Sequence, residues 1–237
     1  MNAIYKKEMR AYFTTPIAYI VICVIFFFSG ISFYWTFQSG AGMGTADIPG
    51  IFSSIFIFLL IVIPLLAMRL FADEKRQKSD QLLLTSPVKL ISIVMGKYLA
   101  ALTVFACSLS ILFIFQLIYA ALVTPDWLKF ISNLLGILLL GGALIAITLF
   151  VSSLTESQAV AAIGGIGISL FLFVMDMFQS SMPFPWMRTA LGAISFQQRY
   201  QSFCNGIVDY ANIIFFASIA FIFLFLTLRI LDMKRWA

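Results

Sequence analysis

Residues 130–178 read FISNLLGILLLGGALIAITLFVSSLTESQAVAAIGGIGISLFLFVMDMF, and only Glu156 and Asp176 in that stretch are charged. An α-helix rises about 1.5 Å per residue and a bilayer's hydrocarbon core is about 30 Å thick, so each half is long enough to cross. The stretch therefore divides into two membrane spans, Phe130 to Ser153 and Ala159 to Phe178, with Glu156 at the turn. Working outward, four more nearly neutral windows lie between charged clusters: Ile17 to Phe37, Ile51 to Met68, Ile91 to Leu122 and Ala211 to Leu228.

The whole chain supports this reading. Of 237 residues, 62% are apolar and 11% are charged, whereas a soluble domain carries about 25% charged residues. No soluble surface can be made from such a chain. We expect an all-α membrane protein, a six-transmembrane-helix bundle forming a single domain over residues 1–237.

The net charge of +5 does not describe a nucleic-acid-binding face, because the basic residues cluster beside apolar spans. Lys6, Lys7, Arg10, Arg69, Lys75, Arg76, Lys78, Lys89, Lys97, Arg229, Lys234 and Arg235 fall on one side, against Lys129, Arg188 and Arg199 on the other. Cytoplasmic flanks retain Lys and Arg, so both termini are expected in the cytoplasm. Tyr34, Trp35, Trp127 and Trp186 near the outer boundaries, with Trp236 near an inner one, fit the aromatic belts where rings meet headgroups. The basic start resembles a signal peptide, yet Ala11 to Ala46 has no convincing cleavage site and more spans follow, so it reads as an uncleaved first span.

Reactive groups are scarce. With no histidine, the commonest general base and metal ligand are missing. Cys23, Cys107 and Cys204 are odd in number and two lie in spans, which argues against a disulfide framework. The run Gly164-Gly165-Ile-Gly167 lacks the Lys-Ser/Thr of a phosphate loop. It is read as a helix-packing surface, as are Gly136, Gly141 and Gly142. No ionisable residue falls at a span midpoint: Asp176 and Asp209 lie near the outer boundary, Glu156 and Lys97 near the inner one, within reach of water. A proton-coupled carrier or charge-ringed channel is therefore disfavoured.

Three segments outside the spans carry pattern. Met1 to Thr15 sets Ile4, Tyr5, Met9, Tyr12 and Phe13 at helical spacing, with Lys6, Lys7 and Arg10 on another face, predicting an amphipathic helix along the cytoplasmic interface. Arg69 to Val88, RLFADEKRQKSDQLLLTSPV, begins charged and then places Leu82, Leu83 and Leu84 together, which need a covering surface. Ser180 to Tyr210 is too polar to cross and too apolar for a plain loop; its residues Thr189 to Phe203 are expected as one or two short helices dipping into the outer leaflet.

Taken together, KKEMRAYFTTPIAYI, RLFADEKRQKSDQLLLTSPV, SSLTESQAVAAI and FQQRYQSFCNGIVD resemble the permease subunit of ABC transporters of the bacterial export class, the type V exporter fold. The likeness is nearest to the gliding-motility-associated branch, and more distant to the permease that serves nitrous oxide reductase maturation. The resemblance implies that Glu74 to Leu84 is a cytoplasmic coupling helix docking on a separate ABC ATPase, through Glu74, Lys75, Arg76 and Asp80 and with buried contact from Leu82, Leu83 and Leu84. Where the family often has S-G-T, this chain has Gln77-Lys78-Ser79. It also implies that Met1 to Thr15 is a connecting helix, that Thr189 to Phe203 is re-entrant, and that a second permease copy or a related permease completes the route. No cofactor is expected in this chain; ATP and Mg belong to the partner ATPase. The expected setting is the bacterial cytoplasmic (inner) membrane, with membrane lipid around the bundle and an extracytoplasmic auxiliary subunit as a further partner. The activity implied is export without a catalytic site of its own. The rival readings are a mechanotransmission subunit that moves no solute, a lipid-modifying enzyme and a channel.

Overall fold

The computed structural model describes residues 2–40, 48–76, 89–122, 126–179, 192 and 194–236. Helix α1 (Asn2–Thr14) leads into α2 (Pro16–Gly40), the first span. The second span is α3 (Ile48–Ala67), continued past a turn at Met68 by α4 (Arg69–Arg76). The third is α5 (Leu90–Ser108) followed by α6 (Ser110–Leu122), the fourth α7 (Trp127–Leu154), the fifth α8 (Gln158–Gln179). A short helix α9 (Phe196–Cys204) precedes the sixth span, α10 (Tyr210–Trp236). Six helical stretches are long and apolar enough to cross a membrane, so the chain is a multi-pass, all-α membrane protein. The four basic corners, at α1, α4, the start of α5 and the end of α10, share what is called here the basic end.

Helices α3 and α7 occupy the centre, while α2, α8 and α10 are peripheral and keep most of their surface outward. Inside lipid the hydrophobic effect does not press helices together, so close approach of backbones and tight packing carry the association. Bare backbone is found where the packing demands it. A Cβ on Gly136 would lie 2.6 Å from Phe203 Cβ, and one on Gly141 would lie 2.7 Å from Phe105 Cζ. One on Gly165 would lie 2.9 Å from Thr148 Cγ2 and 3.1 Å from Pro64 Cβ. The ring that interrupts α3 at Pro64 is thus accommodated only because α8 is bare opposite it.

Two boundaries differ from the sequence expectation. The second span does not end at Met68 but runs on helically to Arg76. The third is divided at Leu109, where Ser108 Oγ donates back to the Phe105 carbonyl and the chain tightens around it. Before the sixth span, Ser195 N-caps a short helix over Phe196–Cys204, in keeping with the short helices expected there, and most of the preceding segment lies outside the described residues.

Helix α1 forms as the amphipathic helix that its periodicity predicts. Its apolar side packs against α5 and α2: Ile4 meets Gly96, Tyr5 and Met9 reach Thr103, and Tyr12 is fully buried. Lys6, Lys7 and Arg10 remain exposed, as their face predicted.

Candidate functional site

The basic end is organised around one buried cation. Lys97, seven residues into α5, is 1% exposed, so the expectation that water reaches it does not hold. Its Nζ donates to Glu8 Oε1 at 3.0 Å, lies 2.9 Å from Glu74 Oε2, and donates to the Leu70 carbonyl at 2.6 Å. An ammonium has three protons, and three acceptors from α1 and α4 surround this one. The ring of Phe71 stands 5.0 Å away.

A charge this deep is tolerable only when paired and hydrogen-bonded. Two carboxylates against one lysine would leave an excess negative charge, and Lys7 Nζ completes the set, 2.8 Å from Glu74 Oε1 and 3.8 Å from Glu8 Oε1. Partial burial pulls the Lys7 ammonium down, but the hydrogen bond to Glu74 and the charges of Glu74 and Glu8 outweigh it and hold it above the usual lysine value. Four alternating charges therefore bind α1, α4 and α5 into one body.

Helix α4 is fastened on its other side by α7 and α8. Ser152 Oγ of α7 accepts from the backbone N–H groups of Phe71 and Ala72, at 3.2 and 3.1 Å, and donates to the Met68 carbonyl at 2.7 Å. Ala72 N–H and Met68 C=O are the pair an uninterrupted helix would join directly, so a hydroxyl from another span sits in the ladder at the α3–α4 joint. Such an insertion is a recognised cause of a bend. Lys75 donates to the Ser153 carbonyl, and Gln158 of α8 donates to Asp73. Arg69 donates to Thr15 between α1 and α2 and lies 4.3 Å over the ring of Tyr12, whose hydroxyl donates to the Leu66 carbonyl at 3.1 Å. Burial pushes the Tyr12 phenol up, so it stays a neutral donor.

Of the residues singled out in the sequence, Glu74, Lys75 and Arg76 end α4. Glu74 and Lys75 turn inward to the contacts above, and Arg76 alone of the three is exposed. Asp80, Leu82, Leu83 and Leu84 lie outside the described residues. Gly164 faces Val151 and Gly165 faces Thr148 and Pro64, whereas nothing lies within 4 Å of a Cβ placed on Gly167. Gly167 thus makes no close approach to another helix among the described residues.

Glu8 and Ser152 were not singled out from the sequence, and Lys97 was given no role. A signal existed for Glu8: it stands four residues after Ile4 and four before Tyr12, on the apolar face, where a carboxylate requires a buried cation. Ser152 offered none, since its partners are 81 and 80 residues away.

At the opposite end, α9 is seated among α3, α7 and α8. Tyr200 donates to the Phe52 carbonyl at 3.1 Å, Ser132 to the Phe203 carbonyl at 3.1 Å, and Asn133 to the Cys204 carbonyl at 3.3 Å. Its orphan N–H groups are taken by Ser195, 3.0 Å from Gln198 N, and by Asp176, 3.0 Å from Gln197 N. Gly206, at φ 83°, makes the turn that follows it.

Among the described residues no three His, Cys, Asp or Glu side chains gather as metal ligands. What the basic end has is rigidity: α1 and the adjoining ends of α5, α7 and α8 are joined by polar bonds to one short helix, α4. Compared with known proteins, the chain matches a family model described as ABC-2 family transporter protein over residues 2–235. No curated protein matches it.

Proposed function

We propose that this chain, which belongs to the ABC-2 family of transporter proteins, is an exporter's permease that relays the stroke of its ATPase through α4. A permease subunit of an ABC transporter works with an ABC ATPase subunit. The basic end, by its excess of Lys and Arg, faces the cytoplasm, which puts both termini there. The membrane is a bacterial inner membrane, the fold the type V exporter class, and the branch the gliding-motility-associated one, on the motifs quoted above. Residues 1–237 act as one domain, and two such bundles, identical or related, enclose the route.

In this reading the partner ATPase binds ATP and Mg and grips the segment that follows Arg76, including Asp80 and Leu82 to Leu84. The pull enters α4 and is shared at once. Lys97, Glu74 and Glu8 carry it to α5 and to α1, which leads directly into the first span. Ser152, Ser153 and Gln158 carry it to α7 and α8. A bundle whose two shapes differ in affinity for the closed ATPase is then biased from one to the other by nucleotide. The single observation that supports this most is the buried Lys97, held by a carboxylate from each of the two cytoplasmic helices.

Spin labels at positions 35 and 128, both exposed at the opposite end, test the relay in the assembled complex. We expect ATP to change their separation in the parent. In a variant carrying Lys97→Met, Glu8→Gln and Glu74→Gln, which leaves only the exposed Lys7 of the four charges and retains the ATPase, we expect no change. An unaltered ATP response in that variant would remove the relay. Stimulation of ATPase activity by solute supports export; stimulation only by an extracytoplasmic protein identifies the mechanical subunit instead.

A further inference from the structure

The outward face between α5, α7 and α10 carries a cavity of about 660 Å³ that the relay does not use. Its walls are apolar, with Met95, Leu102, Leu139, Ala220 and Leu224 among them. Toward the basic end it runs into a second cavity of about 440 Å³, sharing Ile91, Phe225 and Leu228. There the lining becomes charged: Lys89, Arg229 and Arg235, with Asp232 as the one acid. Arg229 is exposed and lies 5.1 Å over the Phe225 ring, at the junction of the two parts.

The length of the groove identifies what fits it. On α10 the apolar part extends from Phe216 to Leu228, and on α5 from Ile91 to Leu102. At 1.5 Å per residue these are roughly 18 and 16 Å. Half of a bilayer's hydrocarbon core is about 15 Å. The groove therefore covers one leaflet, from the midplane to the basic surface, and ends in three cations against one acid at headgroup height. A second transmembrane helix would continue across both leaflets and would not call for a cationic mouth. The positive end of α5 opens at the same mouth, with Lys89 as its N-cap.

From this we infer that the α5–α10 groove is a binding site for an anionic phospholipid of the surrounding membrane, with an acyl chain along Met95, Leu102, Ala220 and Leu224 and its phosphate between Lys89, Arg229 and Arg235. The site lies on the face of α5 and α10 away from α1. An anionic lipid seated there bridges the third and sixth spans, which both line the cavity, and so ties the membrane's charge to the span that carries Lys97.

The test is native mass spectrometry of the full chain with its ATPase, delipidated and titrated with phosphatidylglycerol or phosphatidylcholine. We expect retained phosphatidylglycerol in the parent and a loss of roughly fivefold for each of Lys89→Gln, Arg229→Gln and Arg235→Gln. Ala220→Trp, which fills the groove, should lose it as well. Lys6→Gln with Arg10→Gln, which removes exposed charge elsewhere on the same end, should leave it unchanged. Glycerol phosphate should not compete, because it lacks the chain. Retention at the parent's level in all three charge variants overturns the site, as does a disulfide between two copies through Ala220→Cys in a background without Cys23 and Cys107, which would make the groove a protein interface. These variants leave Lys97, Glu8 and Glu74 in place, so lipid loss with an intact ATP response separates this site from the relay.

Discussion

Lys97 and Glu8, 89 positions apart in the chain, meet at 3.0 Å with the lysine almost wholly enclosed. The contact ties the helix ahead of the first span to the third span, and Glu74 brings α4 to the same ammonium.

Removing only the buried cation should therefore be worse than removing the three least exposed charges together. Lys97→Met leaves two carboxylates with the exposed Lys7 as their one counter-charge and should cost about 3–5 kcal/mol, whereas adding Glu8→Gln and Glu74→Gln should restore much of it. Thermal unfolding in detergent of the single and triple variants measures the difference. Equal destabilisation in both would mean that the charges, once present, do not depend on one another.

Charge reversal at Glu74 and at Arg76 should have different consequences, although the two residues are neighbours on one short helix. Glu74→Lys puts a third cation beside Lys97 and Lys7 and should lower Tm and yield. Arg76→Glu alters an exposed side chain and should leave stability within about 0.5 kcal/mol of parent, as surface changes do, while reducing recovery of the ATPase. Copurification read beside Tm separates the two effects.

Ser152→Ala removes a hydroxyl that serves two N–H groups and one carbonyl at the α3–α4 joint. A buried group left without its partner costs about 1–3 kcal/mol. Hydrogen exchange at Phe71 and Ala72 should rise in this variant.

Two glycine substitutions form a matched pair. Gly141→Ala drives a methyl into the Phe105 ring and should cost about 1–3 kcal/mol by overpacking. Gly167→Ala meets nothing within 4 Å and should leave the stability of the single chain unchanged or slightly raised, as helix propensity directs. If oligomer content by light scattering nevertheless falls for Gly167→Ala, the open face of α8 is where copies approach.

At the far end, Ser195→Ala should weaken α9 by about 1 kcal/mol as a lost N-cap, and Asp176→Ala should act on the same turn from a different helix. Amide exchange at Gln198 should respond to the first and at Gln197 to the second. A response confined to Ser195→Ala would show that Asp176 contributes no cap.

The sequence alone determined that six spans exist, near where they begin and end, and which side of each is basic. Those are local quantities: an apolar run such as Ile51 to Met68 is legible because every residue in it contributes to its own transfer into lipid. The amphipathic α1 was legible for the same reason, since 3.6-residue periodicity is written within one segment. The transporter family was legible in short motifs such as SSLTESQAVAAI and FQQRYQSFCNGIVD.

Only the tertiary structure decided what those elements grip. Whether Lys97 stands in water or between Glu8 and Glu74, and whether Glu74 points to a partner or inward, depends on helices distant in sequence being brought together. So does the extension of the second span to Arg76, since charged residues 69 to 76 stay helical because Ser152, Ser153, Gln158 and Lys97 meet their polar groups. Hydropathy scores those residues as leaving the membrane; pairing across helices cancels that penalty, and pairing is a property of the assembled bundle.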